Sequence, residues 1–317
     1  MDAPAGSGPA PEFNGNATIG AYQIGVLVSF LLLGIQVMQC YVYYTRFPDD
    51  SKRIKALVIF VLSMELAHAI CISHTLYSFT ILDFTHPERL IGRLPKSIDA
   101  AVFFSGLIET AVQSFFSYRI HVVSKRWLIP CFIWFLATLR MGLSIAVFVV
   151  TLGLPSLDSY LVQWSWLSIF LWVVGGATDL LTTVALCVVL HMQRKGAQQR
   201  TALVVDQLIV WTVETGVLTC AFQTSLVALY ITQKENMIWL AAFVISSRLY
   251  SNSLLASLNS RQVLRSMKAG VEVSLQSMPS APGVVIPSTG SGNGVGLEFS
   301  TKFAQGTAYS RSREGDV

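Results

Sequence analysis

Apolar residues in this chain fall in long runs, not in alternation. Seven stretches are predominantly hydrophobic, at about 20–44, 56–82, 100–118, 128–152, 165–190, 207–231 and 237–258. About 20 such residues make a helix that crosses a hydrocarbon layer of roughly 30 Å. Short polar segments separate them: Arg46 to Lys55, Asp83 to Asp99, Arg119 to Arg126, Leu154 to Gln163, His191 to Asp206 and Thr232 to Asn236. A helix satisfies its own backbone groups in lipid. The alternating segments of about 10 residues that a β-barrel needs are not visible. The pattern predicts an all-α membrane protein, a seven-transmembrane helix bundle over residues 19–259.

Composition sharpens this. Of 317 residues, 53% are hydrophobic and only 13% charged, and the mean hydropathy is +0.56. Soluble domains carry roughly 25% charged residues, so this chain lacks the polar surface to face water on all sides. The lipid bilayer is its expected partner. Lys and Arg number 22 against 18 Asp and Glu, a balance that gives no sign of nucleic-acid binding. All five cysteines lie in or at the edge of apolar runs, which excludes a disulfide-stapled secreted domain and a CxxC metal site.

Lys and Arg are distributed unevenly over the loops. Thirteen fall on one side: Arg46, Lys52, Arg53, Lys55, Arg119, Lys125, Arg126, Arg194, Lys195, Arg200, Arg261, Arg265 and Lys268. Four fall on the other: Arg89, Arg93, Lys96 and Lys234. By the positive-inside rule the N-terminus is outside and the C-terminus cytoplasmic. The sequon Asn16-Ala17-Thr18 then lies outside, where it can be glycosylated, and a plasma-membrane address is the default. Trp164, Trp166 and Trp239 begin outer helix ends, while Tyr41, Tyr43, Tyr44 and Trp127 sit at inner ones, as in an aromatic belt. Residues 1–18 lack a basic leader region, so the first span is expected to act as its own insertion signal. They read as a disordered extracellular tail, and residues 277–317, rich in Ser, Gly and Pro, as a disordered cytoplasmic one. Between the seventh span and that tail, Val263, Met267, Val271 and Leu275 recur every four residues. This spacing suggests a juxtamembrane amphipathic helix over 260–276.

Six ionisable residues lie inside the spans: Glu65, Glu109, Arg140, Asp179, Glu214 and Arg248. Glu65 stands about 15 Å from Lys55 at 1.5 Å per residue, near mid-bilayer; Glu214 is nearer the cytoplasmic side. Each charge at the centre costs roughly 2.5–3.5 kcal/mol, so six unpaired would cost on the order of 18 kcal/mol. They must pair, protonate or line a wet cavity. Helical spacing puts Gln113 and Ser117 beside Glu109, glycines and threonines beside Asp179, and Ser251, Asn252 and Asn259 beside Arg248. One polar interior results, a candidate ligand or ion cavity formed by Glu65, His68, Glu109, Gln113, Arg140, Asp179, Glu214, Arg248 and Asn252. The alternative is a static network in which the arginines simply hold the bundle together. Four acids against two arginines leave two carboxylates unmatched.

Metal chemistry is a weaker prospect. Glu65-x-x-His68 resembles half of a carboxylate-bridged di-iron pair, but such sites need it twice. His68 is instead expected to hydrogen-bond a neighbouring helix, and neither a metal nor a cofactor is expected. No Walker loop, HExxH or GxSxG motif is present, and no enzymatic activity is expected.

Several stretches read together: Arg46-Phe47-Pro48-Asp49-Asp50, Glu65-Leu66-Ala67-His68, Gln113-Ser114-Phe115-Phe116-Ser117-Tyr118-Arg119, and the block running Leu249-Tyr250-Ser251-Asn252-Ser253-Leu254-Leu255. From about residue 20 to 261 the chain resembles a large family of basidiomycete fungal membrane proteins known as a domain of unknown function. The resemblance implies a seven-helix fold and a fungal origin, and no activity. Seven helices with an outer N-terminus also look like receptor architecture. However, Ser117-Tyr118-Arg119 is not the Asp-Arg-Tyr lock of rhodopsin-like receptors, and no lysine lies in the seventh span to hold retinal. The expectation is receptor-like function, with a polar midplane cavity and a cytoplasmic signalling partner at the basic inner loops. The alternative is a proton- or cation-coupled transporter or channel that uses the midplane carboxylates.

Overall fold

The computed structural model of the chain describes residues 15–82, 95–154, 156–195, 199–233 and 236–276, and within them the regular structure is entirely helical. The helices are α1 (Ala21–Arg46), α2 (Lys52–Tyr77), α3 (Lys96–Ser124), α4 (Leu128–Gly153), the short α5 (Leu157–Gln163), α6 (Ser165–Lys195), α7 (Gln199–Thr232) and α8 (Ile238–Gln276). Wider, π-type turns precede α1 at Asn16–Gly20 and extend α2 over Ser78–Leu82. The chain divides into a compact unit ending at Leu275 and a second from Gln276 onward. The second is outside the described residues except where Gln276 closes α8. The expected disordered tails, 1–18 and 277–317, also lie outside them, apart from residues 15–18.

Each long apolar run closes into a helix, and local chemistry sets the ends. Pro95 directly precedes α3, whose last turn closes on Lys125 at φ 53°, the Lys125 N–H donating to His121 O. A left-handed residue is a common helix stop. Ser156 caps α5 by accepting from the Ser159 N–H at 3.2 Å. That turn of helix sits in a segment expected to be only a polar separator. At the far end the backbone runs helical without a break from Ile238 to Gln276.

Long-range contacts fix the directions of the helices. Tyr22 OH donates to Ile72 O and Tyr44 OH to Lys55 O, so α1 and α2 are antiparallel. Ser144 Oγ donates to Val102 O and Ser117 Oγ to Pro130 O, making α3 and α4 antiparallel. Residues 32 and 39 of α1 meet residues 252 and 259 of α8, a constant offset, so those two run parallel. The bundle therefore alternates in direction and closes on itself. As a result the basic residues of the 46–55 and 119–126 segments, Arg194 and Arg261 gather at one end, while Lys96 opens α3 at the other. Arg261 reaches Asp50, and Gln193 Nε2 reaches Val123 O at 3.0 Å.

The surface is apolar and the polar groups point inward. Leu128, Phe132, Phe135 and Val149 of α4 are exposed, whereas Ser29, Gln36, Glu65, His68, Arg140, Asp179 and Arg248 are buried. This inverts a soluble protein and suits a helical membrane protein. Among the described residues, six helical segments are long and apolar enough to cross a membrane: 17–46, 52–82, 96–124, 128–153, 165–194 and 205–232. The segment expected as the seventh span belongs to α8, which does not meet that measure, since Ser246, Ser247, Arg248, Ser251, Asn252 and Ser253 interrupt its apolar residues. Position in the bundle explains the composition. From Ile238 to Arg261 only Ala256 is exposed, so α8 is a central helix with little surface to present to lipid. Gly25 lets α1 approach it: a Cβ there would stand 2.7 Å from Ala241 Cα.

Candidate functional site

The single polar interior expected from helical spacing is two clusters in the fold, both built on α8. In the first, Arg248 Nη1 is ion-paired to Glu65 Oε2 and also donates to Glu65 O at 3.1 Å. Arg248 Nε donates to Ser29 Oγ at 2.9 Å, and Ser251 Oγ donates to Glu65 Oε1. Three helices, α1, α2 and α8, thus meet on one guanidinium. Around it, both His68 ring nitrogens, the Gln36 amide and Arg248 Nη2 are buried without a hydrogen-bond partner among the described residues. The bond from His68 to a neighbouring helix is therefore not found; its ring lies edge-on to Phe243, with centroids 6.4 Å apart. The Asn252 amide serves the backbone, donating to Arg248 O at 2.8 Å and to Leu32 O at 3.2 Å.

The second cluster joins α3, α4, α6, α7 and α8. Arg140 Nη2 pairs with Glu109 Oε2 at 2.8 Å, and Arg140 Nη1 donates to Tyr250 OH at 3.1 Å. That phenol also accepts from Gln223 Nε2 at 2.9 Å and donates to Asp179 Oδ2. The other carboxylate oxygen of Asp179 accepts from Gln113 Nε2 at 3.2 Å. Tyr250 thus uses its one donor and both acceptor positions, and acts as a neutral partner for a carboxylate left without its own arginine. Gly175 makes room for the guanidinium: a Cβ there would be 2.7 Å from Arg140 Cζ.

A cavity of about 40 Å³ borders this cluster, walled by Gln113, Asp179, Tyr250, Phe116, Thr212, Thr215 and neighbouring side chains. This is room for a water molecule or two and not for a larger guest. Glu214 joins neither cluster. It is exposed and lines a separate cavity of about 380 Å³ at the basic end of the bundle, together with Arg46, Arg119 and Trp211. Phe116, Thr212 and Thr215 belong to the walls of both cavities.

Sequence reasoning missed Tyr250, Gln223 and Ser29. Tyr250 lies two residues, or about 200°, around α8 from Arg248, so a search along one polar face passes it by. A lone Gln223 within an apolar run was a legible signal of the same kind as Gln113. Also unforeseen was the fastening at the basic end: the Arg261 guanidinium grips Asp50 at 3.2 and 2.5 Å and stacks over Phe47 at 4.6 Å. Tyr43 OH donates to Asp50 Oδ2 at 2.9 Å. No group of three or more His, Cys, Asp or Glu is placed to hold a metal ion among the described residues.

Apolar helices of membrane-crossing length around a buried polar interior define a multi-pass integral membrane protein. Residues 175–263 match the model of a family of unknown function, DUF6534. No curated protein and no solved structure matches the chain. The matched segment carries Asp179, Gln223, Arg248, Tyr250 and Ser251, that is, the α6–α8 share of the two clusters, and also Arg261.

Proposed function

We propose that the chain crosses the plasma membrane seven times, N-terminus outside, and works as a receptor-like helix switch and not as an enzyme. The observation that carries this reading is the convergence of both charge clusters on one turn of α8, at Arg248, Tyr250 and Ser251. Arg248 and Ser251 hold Glu65 of α2, while Tyr250 holds Asp179 of α6 and accepts from Arg140 of α4. A small rotation of α8 would alter every one of these contacts together. In the second cluster Glu109 and Asp179 share one guanidinium and one phenol, so more than one pairing satisfies them, which a two-state element needs. The basic end of the bundle is then the cytoplasmic face, available to a signalling partner.

The reading is tested with spin labels at exposed Val122 of α3 and Met192 of α6, in wild type, Glu109→Gln and Tyr250→Phe. A switch gives a second inter-label distance population in the variants. One unchanged distance with only a lowered melting temperature would make the clusters a static scaffold. Glycan mass on Asn16, with a C-terminal tag protected from protease in sealed right-side-out cells, tests the topology.

Transport is the second reading, favoured by the walls that the two cavities share. From the basic end the 380 Å³ cavity leads to Phe116, beyond which lies the pocket beside Asp179. Proton or cation flux in reconstituted vesicles that is lost in Asp179→Asn would select it.

A further inference from the structure

The cavity at the basic end has a charge pattern that neither cluster shares. Its volume, about 380 Å³, is within the range of small-molecule sites. Arg46 ends α1, Arg119 is near the end of α3, and Glu214 is on α7. Among the described residues none of the three is ion-paired. Arg119 makes one hydrogen bond there, from Nη1 to Ser257 Oγ at 2.8 Å, which leaves most of its five donors for a guest. Asn259 is in the wall as well, its amide nitrogen held by Gln39 O at 2.9 Å. Trp211 contributes an aromatic wall.

Two guanidinium groups alone would suit an anion. The carboxylate and the indole add the opposite demand, a cation that donates hydrogen bonds and sits well against an aromatic ring. The cavity lies at the end of helices long enough to span a bilayer, at the level of lipid headgroups. We infer that it binds a zwitterion in which a phosphate and a primary ammonium are a few bonds apart, the phosphate on Arg46 and Arg119 and the ammonium on Glu214 beside Trp211. This phosphoethanolamine chemistry is available both as a phospholipid headgroup and as a soluble ester. The inference does not depend on whether the protein signals or transports.

The test uses the full chain in a maltoside detergent. Calorimetric titration with glycerophosphoethanolamine is compared with glycerol phosphate and with ethanolamine, and native mass spectrometry compares retention of phosphatidylethanolamine and phosphatidylglycerol. The zwitterion should bind more tightly than either half, or phosphatidylethanolamine should be the lipid retained. Binding of the soluble ester identifies a free solute, and retention of the lipid alone identifies a headgroup. Arg119→Gln and Glu214→Gln should each weaken binding by about tenfold or more. Glu214→Gln alone should erase the preference over glycerol phosphate. Glu214 is exposed, so that variant folds and its melting temperature serves as the control. Equal affinity for glycerol phosphate in the wild type, unchanged binding in both variants, or silence in both arms would overturn the proposal.

Discussion

The two buried clusters hold like charges in unlike ways. Glu65 and Arg248 form a one-to-one pair with no exposure on either side chain, tied to α1 by Ser29 and to the next turn of α8 by Ser251. Glu109 and Arg140 are almost as deeply buried, at 8% and 4%, but Arg140 also donates to Tyr250, through which a second carboxylate and two amides join the network, and a water-sized cavity adjoins them. A sealed pair has one satisfactory arrangement. A shared set beside a polar cavity has several, because Asp179, Glu109 and Tyr250 can each take the donor that another gives up. The first cluster thus acts as a rivet and the second as an exchangeable network.

The sharpest way to break that distinction is to remove one partner from each. Arg248→Met leaves Glu65 uncompensated in the core and should cost about 3–5 kcal/mol, read as a large fall in melting temperature in detergent. Combining it with Glu65→Gln should recover much of that loss. Next in size is Gly175→Ala, which drives a methyl into Arg140 and should cost about 1–3 kcal/mol. The penalty should shrink in an Arg140→Met background, where the crowded group is gone. Glu109→Gln should cost less, about 1–2 kcal/mol, because Arg140 keeps Tyr250 and has Asp179 close by. If Glu109→Gln proves as damaging as Arg248→Met, the two clusters are equally rigid and the comparison fails. The smallest effect belongs to Asp50→Asn at the basic end. Arg261 and Asp50 are 31% and 16% exposed, so the loss should be under about 1 kcal/mol and should fade as salt is raised.

The membrane character and the helix positions were legible because each depends on residues close together in the chain. An apolar run long enough to span is helical wherever lipid denies the backbone other partners. The ionisable residues within the apolar runs were legible for the same reason, and five of the six are buried inside the bundle. Glu214 differs, because its face of α7 turns to the 380 Å³ cavity and not to the bundle axis. Pairings were not legible. Arg248 meets Glu65 across 183 residues and Tyr250 meets Asp179 across 71, and no periodicity within one helix chooses among partners on others.

Helix α8 shows where the division falls. Its sequence alone determined that a helix forms and that it carries a guanidinium, amides and hydroxyls amid leucines. Read with one polar face, those residues predicted one polar interior. Packing put α8 at the centre, against α1, α2, α3 and α7 at once, so that faces about 200° apart both became interior and the polar set divided into two clusters. Local chemistry decides which residues are helical and which can be charged; only the arrangement of the neighbouring helices decides which carboxylate each donor reaches, because burial and distance belong to the assembled bundle.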